Sequence, residues 1–406
     1  MPAEQRRILL LTGTAPRPDG VGGIILHDLA AFLPPGTLSV AYVLDAAGTS
    51  CDETTPNGDP MRIVPVPFQR RPESRWGRPG RALDWVSMRK ANQRHVSAGV
   101  RACVEYARAQ CVDEVWAVLD TPAATAMAVP VAEALGVPLR TTVWDDVEHN
   151  VRHFGLDRFT AARFRKNFGD AIRRSERVAV IGETMQAEYE RLHGKRGVIL
   201  RHGAEQPSTP DVQLQRNGEL RIGFAGSVSA RSAFDCLLKA LDRLAWSING
   251  REVTLVLMGQ RFDLWSNVPR RIECLGYRSV DETIRILSGC RVNFLPQPFE
   301  ADWRAFAELS FPSKLTTYLA ARVPILLHAP PNASLPAFFA RYPFGAYCDA
   351  LDVDQLAVLL VNLCSDQGLQ ASACDAARRA LDDEFSVARF RSSFADFIDM
   401  NLASAT

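Results

Sequence analysis

Short β-branched runs alternate with amphipathic, helix-like stretches from one end of the chain to the other. That alternation constrains the fold more than any other feature, because parallel strands need crossover connections and helices are the usual crossovers. In the first half, strands are expected at Arg7–Thr12, Leu38–Leu44, Arg62–Val66, Glu114–Leu119, Leu139–Val143, Arg177–Ile181 and Val198–Arg201. A second series is expected at Leu220–Ala225, Glu252–Met258, Ile272–Leu275, Arg291–Leu295, Pro324–His328 and Gly345–Cys348. Between them lies Gly203-Ala-Glu-Gln-Pro-Ser-Thr-Pro-Asp211, a polar, proline-containing stretch of the kind that joins domains. Each half reads as its own α/β doubly wound domain, and such sheets bind ligands at the carboxyl ends of their strands. A chain of 406 residues accommodates two domains at roughly 100–200 residues each.

Composition removes several classes of function. With 47% hydrophobic and 23% charged residues the chain is neither disordered nor fibrous. Lys and Arg number 47 against 46 Asp and Glu, so the protein is not built to neutralise nucleic acid. No apolar run reaches the roughly 18 residues of a membrane span; the run Thr121–Ala132 is bracketed by Asp120 and Glu133. Four strongly apolar residues after Arg6-Arg7 are too few for a signal-peptide core. Nine cysteines without a CxxC pair read as reduced thiols of a cytoplasmic protein, with neither a disulfide framework nor a zinc site.

The charge is unevenly shared. Residues 1–203 carry a net +4 and residues 204–406 a net −3. Gln69–His95 holds Arg70, Arg71, Arg75, Arg78, Arg81, Arg89, Lys90 and Arg94 with Trp76 and Trp85 among them. Arg158–Arg177 interleaves Arg163, Arg165, Lys166, Arg173 and Arg174 with Phe159, Phe164 and Phe168. A basic surface with aromatic residues suits an anionic membrane face. A solvated arginine-rich face or a dimer contact is the plainer alternative.

Three segments carry candidate chemistry. The first strand opens into Thr12–Gly23, whose Gly22 and Gly23 precede the helical run Ile24–Leu33; glycines there let backbone amides approach an anion, or they mark a surface turn. In Glu308–Ile325, Pro312 suits a first helical turn with Ser310 or Phe311 as cap. Ser313 and Lys314 would then converge on a phosphate, unless Lys314 is simply a solvated helix residue. Trp144-Asp-Asp-Val-Glu-His149 follows a strand; Asp145, Asp146 and His149 could orient an acceptor hydroxyl or take its proton, or an aspartate there could cap a helix. Asp352-Val-Asp354 precedes the helical run Gln355–Leu363 and reads as a cap, not a metal pair. Ser227, in Gly226-Ser-Val-Ser, lacks the glycine of a nucleophile elbow.

FPSKLTTYLAARVPILLHAP resembles the carboxyl-domain signature of GT-B-fold glycosyltransferases, particularly retaining family four. GVGGIILHDLAAFL is similar to that family's glycine-rich loop and first helix. SERVAVIGETMQAEYERLHGKRGVILRHGAE is similar to the end of its amino domain, and LRIGFAGSVSARSAFDCLLKALDRL to the opening of its carboxyl domain. The resemblance implies two Rossmann-like domains facing across a cleft: residues 1–205 on the acceptor side, residues 206–384 binding the donor nucleotide, and residues 385–406 as a helix crossing back. It implies transfer of a sugar from a nucleotide-diphosphate-sugar to an acceptor hydroxyl, with retention and no metal or cofactor. The acceptor would be a glycan, a lipid-linked glycan or a small molecule, in polysaccharide or glycolipid synthesis at the inner membrane face. Donor-binding positions would be Gly22, Gly23, Gly226, Ser227, Arg231, Phe311, Pro312, Ser313, Lys314 and Thr317; catalytic ones Asp146, His149 and Glu308.

The pattern departs from the family at informative places. Its ribose glutamate is Thr317 here, and the glutamate eight positions earlier is Leu309, with Glu308 adjacent. Its donor-loop Arg and Lys fall on Ser227 and Ser232, with Arg231 beside the latter. A nucleotide-sugar epimerase of the same fold and a non-catalytic nucleotide- or glycan-binding relative are therefore alternatives.

Overall fold

The computed structural model describes residues 6–72, 77–203, 219–226, 230–259 and 271–402. Ser227, Arg75, Trp76 and most of the expected linker, from Ala204 on, lie outside the described residues. The chain divides into two units, residues 1–200 with 391–406, and residues 201–390. The boundaries read from the sequence were 205/206 and 384/385. The second crossing lies inside the helix Val387–Ile398, which starts in one unit and ends in the other.

In the first unit the strands are β1 (Ile8–Thr12), β2 (Leu38–Leu44), β3 (Cys51–Thr54), β4 (Pro60–Pro65), β5 (Glu114–Val118), β6 (Leu139–Thr142), β7 (Arg177–Val180) and β8 (Val198–Ile199). They form one sheet in the order β3-β4-β2-β1-β5-β6-β7-β8, parallel except for the β3–β4 pair. The second unit holds β9 (Glu219–Ala225), β10 (Ser247–Ile248), β11 (Arg251–Met258), β12 (Arg271–Gly276), β13 (Val292–Pro296), β14 (Ile325–His328) and β15 (Gly345–Cys348). Its sheet runs β10-β11-β9-β13-β14-β15, with β12 also on β11. Only β10–β11 is antiparallel among the described pairs.

Each strand expected from the sequence has its counterpart. Two strands have none in that reading. β3 is exposed throughout, so no apolar residue marks it, and β10 is two residues long. The central strands are apolar on both faces because helices cover both sides of a parallel sheet; every residue of β1 and β5 is buried. The connection from β5 to β6 shows how locally the helices are written. Thr121 caps the helix Pro122–Leu135 by accepting from the Ala124 amide at 3.3 Å, Pro122 fills its first turn, and Gly136 ends it at φ +69°.

A charged cluster sits inside the first unit. Glu114, fully buried, accepts from Arg140 Nε at 2.9 Å and from Arg6. Arg140 also donates to the Phe397 carbonyl at 2.7 Å, and Arg6 to that of Ile398 at 2.9 Å. Phe394 and Phe397 of the last helix pack on Trp116, with ring centroids 5.1 and 6.1 Å apart. The core of the second unit stacks Phe224, Phe234 and Phe294 edge to face at 4.7 and 5.4 Å. No helix among the described residues is long and apolar enough to cross a membrane.

Without Arg140 the buried Glu114 carboxylate keeps only the partly exposed Arg6 as an ionic partner. Arg140→Met should destabilise the protein by about 3 kcal/mol in urea unfolding, and adding Glu114→Leu should recover most of that loss.

Candidate active site

In the first unit two segments meet at the carboxyl ends of β1 and β6. Beyond Thr12 the chain turns under Asp120, whose carboxylate accepts from the Gly13 amide at 2.9 Å and the Thr12 hydroxyl at 3.2 Å. Burial raises the Asp120 pKa, and these donors oppose the rise. The loop leads to the helix Val21–Ala31, which starts at Gly20, φ +65°, with no side chain capping its first amides. Gly22 lies against the Trp144 indole: a Cβ there would stand 2.8 Å from the ring. The glycine loop and the Trp144–His149 segment are thus one site.

Within that segment the structure gives Asp146 a structural duty. It caps the helix Val147–His153 by accepting from the Glu148 amide at 2.9 Å, and the Tyr189 hydroxyl donates to it at 3.4 Å. Its burial raises its pKa. His149, half-buried, stacks on His153 with centroids 5.9 Å apart. Desolvation lowers its pKa and outweighs the opposing pull of Asp145. The imidazole is therefore neutral at pH 7 and able to accept a proton.

In the second unit the ends of β9 and β11 come together through two glycines. Gly226 has φ +121° and donates its amide to the Met258 carbonyl at 3.0 Å. Gly259 has φ +112°, and a Cβ on it would lie 2.5 Å from the Gly226 carbonyl oxygen. Lys314 reaches this point. Its side chain passes where a Cβ on Gly226 would stand 3.3 Å from its Cδ, and its ammonium lies 4.8 Å from the Phe224 ring centre. No carboxylate among the described residues pairs with it, and burial lowers its pKa to about 8. Tyr318 fixes the segment against β9, its hydroxyl accepting from the Ala225 amide at 2.7 Å and donating to the Ala225 carbonyl at 3.2 Å.

The other expected positions spread out from there. The helix begins at Lys314 with Ser313 as its cap, where Ser310 or Phe311 was expected, and spans only seven residues. Ser313 is exposed; Pro312 and Thr317 are half-buried. Phe311 is a packing residue, covered by the Arg201 guanidinium at 4.3 Å and by Phe338 at 5.4 Å. Glu308 is held by Arg304 at 2.7 Å and by Asn332. Arg231, exposed, opens the helix Arg231–Arg243 and pairs with Asp235 at 3.5 Å. Asp352 accepts from the amides of Asp354 and Gln355 at 2.9 and 3.0 Å, as a helix cap does.

Sequence reasoning missed Asp120 and Glu300. Glu300 accepts from the Ser232 amide at 2.9 Å, so a carboxylate already occupies the start of the helix Arg231–Arg243. Both follow strand ends, the one signal that could have found them.

No protein-family profile matches the sequence, and no curated protein sequence does. Solved structures do match the fold over the whole length. HepE of Anabaena, in complex with UDP and glucose, superposes with a TM-score of 0.63 at 15% identity, covering 97% of this chain and 100% of that one. Sucrose-phosphate synthase of Thermosynechococcus elongatus gives 0.68 at 12%, covering 97% and 98%. The α,α-trehalose-6-phosphate synthase of Burkholderia multivorans gives 0.62 at 11%, covering 98% and 97%. These are GT-B proteins. The chain has the GT-B fold. Gly226 and Gly259 lie at strand ends in one Rossmann-like unit of that fold, with Lys314 against Gly226, and Trp144 follows a strand end in the other, with Gly22 against it.

The Gly259 contact is the tightest of these. Gly259→Ala forces a side chain into backbone at a positive φ, and should cost about 1–3 kcal/mol in thermal or denaturant unfolding, with loss of any nucleotide affinity of the second unit.

Proposed function

We propose that the protein is a glycosyltransferase that moves a sugar from a nucleotide-diphosphate-sugar to an acceptor hydroxyl. The observation that carries this reading is Lys314: a half-buried lysine with no carboxylate partner among the described residues, its side chain laid against the strand-end glycine Gly226 and its pKa lowered to about 8 by desolvation. A group held at that cost suits a strongly anionic ligand that restores its charge. The fold supports the reading, since HepE has been seen with UDP and with UDP-glucose. Donor cleavage places negative charge on the departing phosphates, and the Lys314 ammonium would stabilise it. Neutral His149 would orient the acceptor hydroxyl and take up its proton, with Asp146 positioning it through the helix cap. Retention of configuration, hexosyl transfer and a role in cell-surface polysaccharide or glycolipid synthesis follow from the family resemblance. An epimerase would release an altered sugar without any acceptor, and product analysis separates the two.

The Lys314 pKa sets the sign of a pH effect. A bound diphosphate favours the ammonium, so the bound pKa lies above the free value of about 8. Nucleotide affinity should fall as pH rises from about 8 toward the bound value, with proton uptake on binding in calorimetry. Lys314→Ala should abolish the proton uptake and weaken nucleoside-diphosphate affinity about tenfold or more. Unchanged affinity in a folded variant would overturn the assignment.

His149→Gln should lower transfer about a hundredfold while nucleotide affinity stays as it was. In the unaltered protein, transfer should decline as pH drops through the His149 pKa, which lies below the usual 6.5. That acid limb should vanish in the variant.

A further inference from the structure

The first unit has a second concave site on its helical layer. The helices Gly77–Ala109, Pro122–Leu135 and Arg158–Arg174 lie side by side and leave a groove of about 1080 Å³, at the upper end of the range for sites that hold a small organic ligand. Its walls and floor include Trp85, Met88, Val100, Val129, Phe159 and Phe164. Trp85 and Phe159 pack together with centroids 4.7 Å apart, yet Phe159 remains 45% exposed, as are the neighbouring Leu83 at 70% and Val86 at 41%. Of these, Phe159 lines the groove itself, so an exposed aromatic ring stands at an apolar concave surface that is otherwise open to water.

The rim is cationic. Lys166 is paired with Asp170 and Arg174 with Glu133, but Arg89, Arg101 and Arg163 have no carboxylate partner among the described residues. A smaller hollow of about 320 Å³ adjoins the groove and shares Gln93, Ser97 and Arg101 with it. Lys90, Arg94, Ser97 and Arg101 line that hollow at helical spacing, forming one stripe along the first helix.

We propose that this groove takes the hydrocarbon chain of a membrane-borne anionic amphiphile, with its phosphate on the Lys90–Arg94–Arg101 stripe. A free phosphate would use the stripe but not the groove, and an apolar chain the groove but not the stripe. Only an amphiphile uses both, and the exposed Leu83, Val86 and Phe159 suit the bilayer that carries it. The assignment does not depend on glycosyl transfer, since binding alone tests it.

The full chain is sedimented with phosphatidylcholine vesicles and with vesicles containing phosphatidylglycerol, at low and high salt. Recovery in the pellet is expected only with anionic vesicles and is expected to weaken with salt. Lys90→Glu with Arg94→Glu and Arg101→Glu, all at exposed positions, should reduce it by about a hundredfold or more. Calorimetry with dodecyl phosphate should show binding at least about tenfold tighter than with inorganic phosphate, and Ala126→Phe, which fills the groove, should remove that difference. Equal recovery in the supernatant with both vesicle types, or inorganic phosphate binding as tightly as dodecyl phosphate, overturns the proposal. So does a dimer that Ala126→Phe dissociates, because the groove then belongs to a second copy of the chain.

Discussion

Glu114 stands wholly out of water at the first position of the central strand β5, and the first unit is arranged so that this carboxylate is never alone. An isolated buried charge costs several kcal/mol, so two arginines, one preceding β1 and one on the neighbouring β6, converge on it. Arg140, drawn in for that purpose, has a donor left over and spends it on the carbonyl of Phe397. The last helix is thereby fastened to the first sheet by a hydrogen bond from a charged group, with Phe394 and Phe397 packed on Trp116 beside it. That helix begins among residues of the second unit and ends on the first sheet, where the partners of one buried carboxylate help to hold it.

The candidate groups of each unit, taken separately, obey a common electrostatic rule with opposite consequences for charge. Desolvation disfavours ionised forms, so it lowers the pKa of both Lys314 and His149 and raises that of Asp120 and Asp146. At neutral pH the lysine is still charged and the histidine is not. One unit then offers a cation that gains from an anionic ligand, the other a base that can receive a proton. The carboxylates are absorbed by the fold: Asp120 shapes the turn after β1 and Asp146 starts a helix. Glycine does the rest, since Gly22 and Gly259 stand where a side chain would strike a neighbour and Gly226 holds a φ of +121°.

Sequence periodicity was enough to place the strands of both sheets, because a buried parallel strand must be apolar on both faces and that pattern is local. It failed at β3, which faces solvent and needs no such pattern, and at β10, too short to show one. The position of Lys314 was legible from its motif. Its packing was not, because Phe224 and Gly226, against which it lies, are about ninety residues away in sequence. Asp120 and Glu300 were invisible for the same reason: each is an ordinary acid until topology brings the Gly13 or Ser232 amide to it. The aspartate pair after β6 admitted both a cap and a proton-transfer reading, and local amide geometry selects the cap for Asp146. Phe311 belonged to a motif suggestive of nucleotide binding, yet the Arg201 guanidinium and the Phe338 ring cover it.

Pro130 lies inside the helix Pro122–Leu135 and, like Ala126 one turn earlier, faces the groove on the helical layer. Proline has no amide hydrogen, so the Ala126 carbonyl must find its donor outside the helical ladder. The turn of helix that lines this groove is therefore held by one main-chain hydrogen bond fewer than its neighbours, and the helix can bend there, so the shape of the groove is tied to a proline that cannot close the ladder.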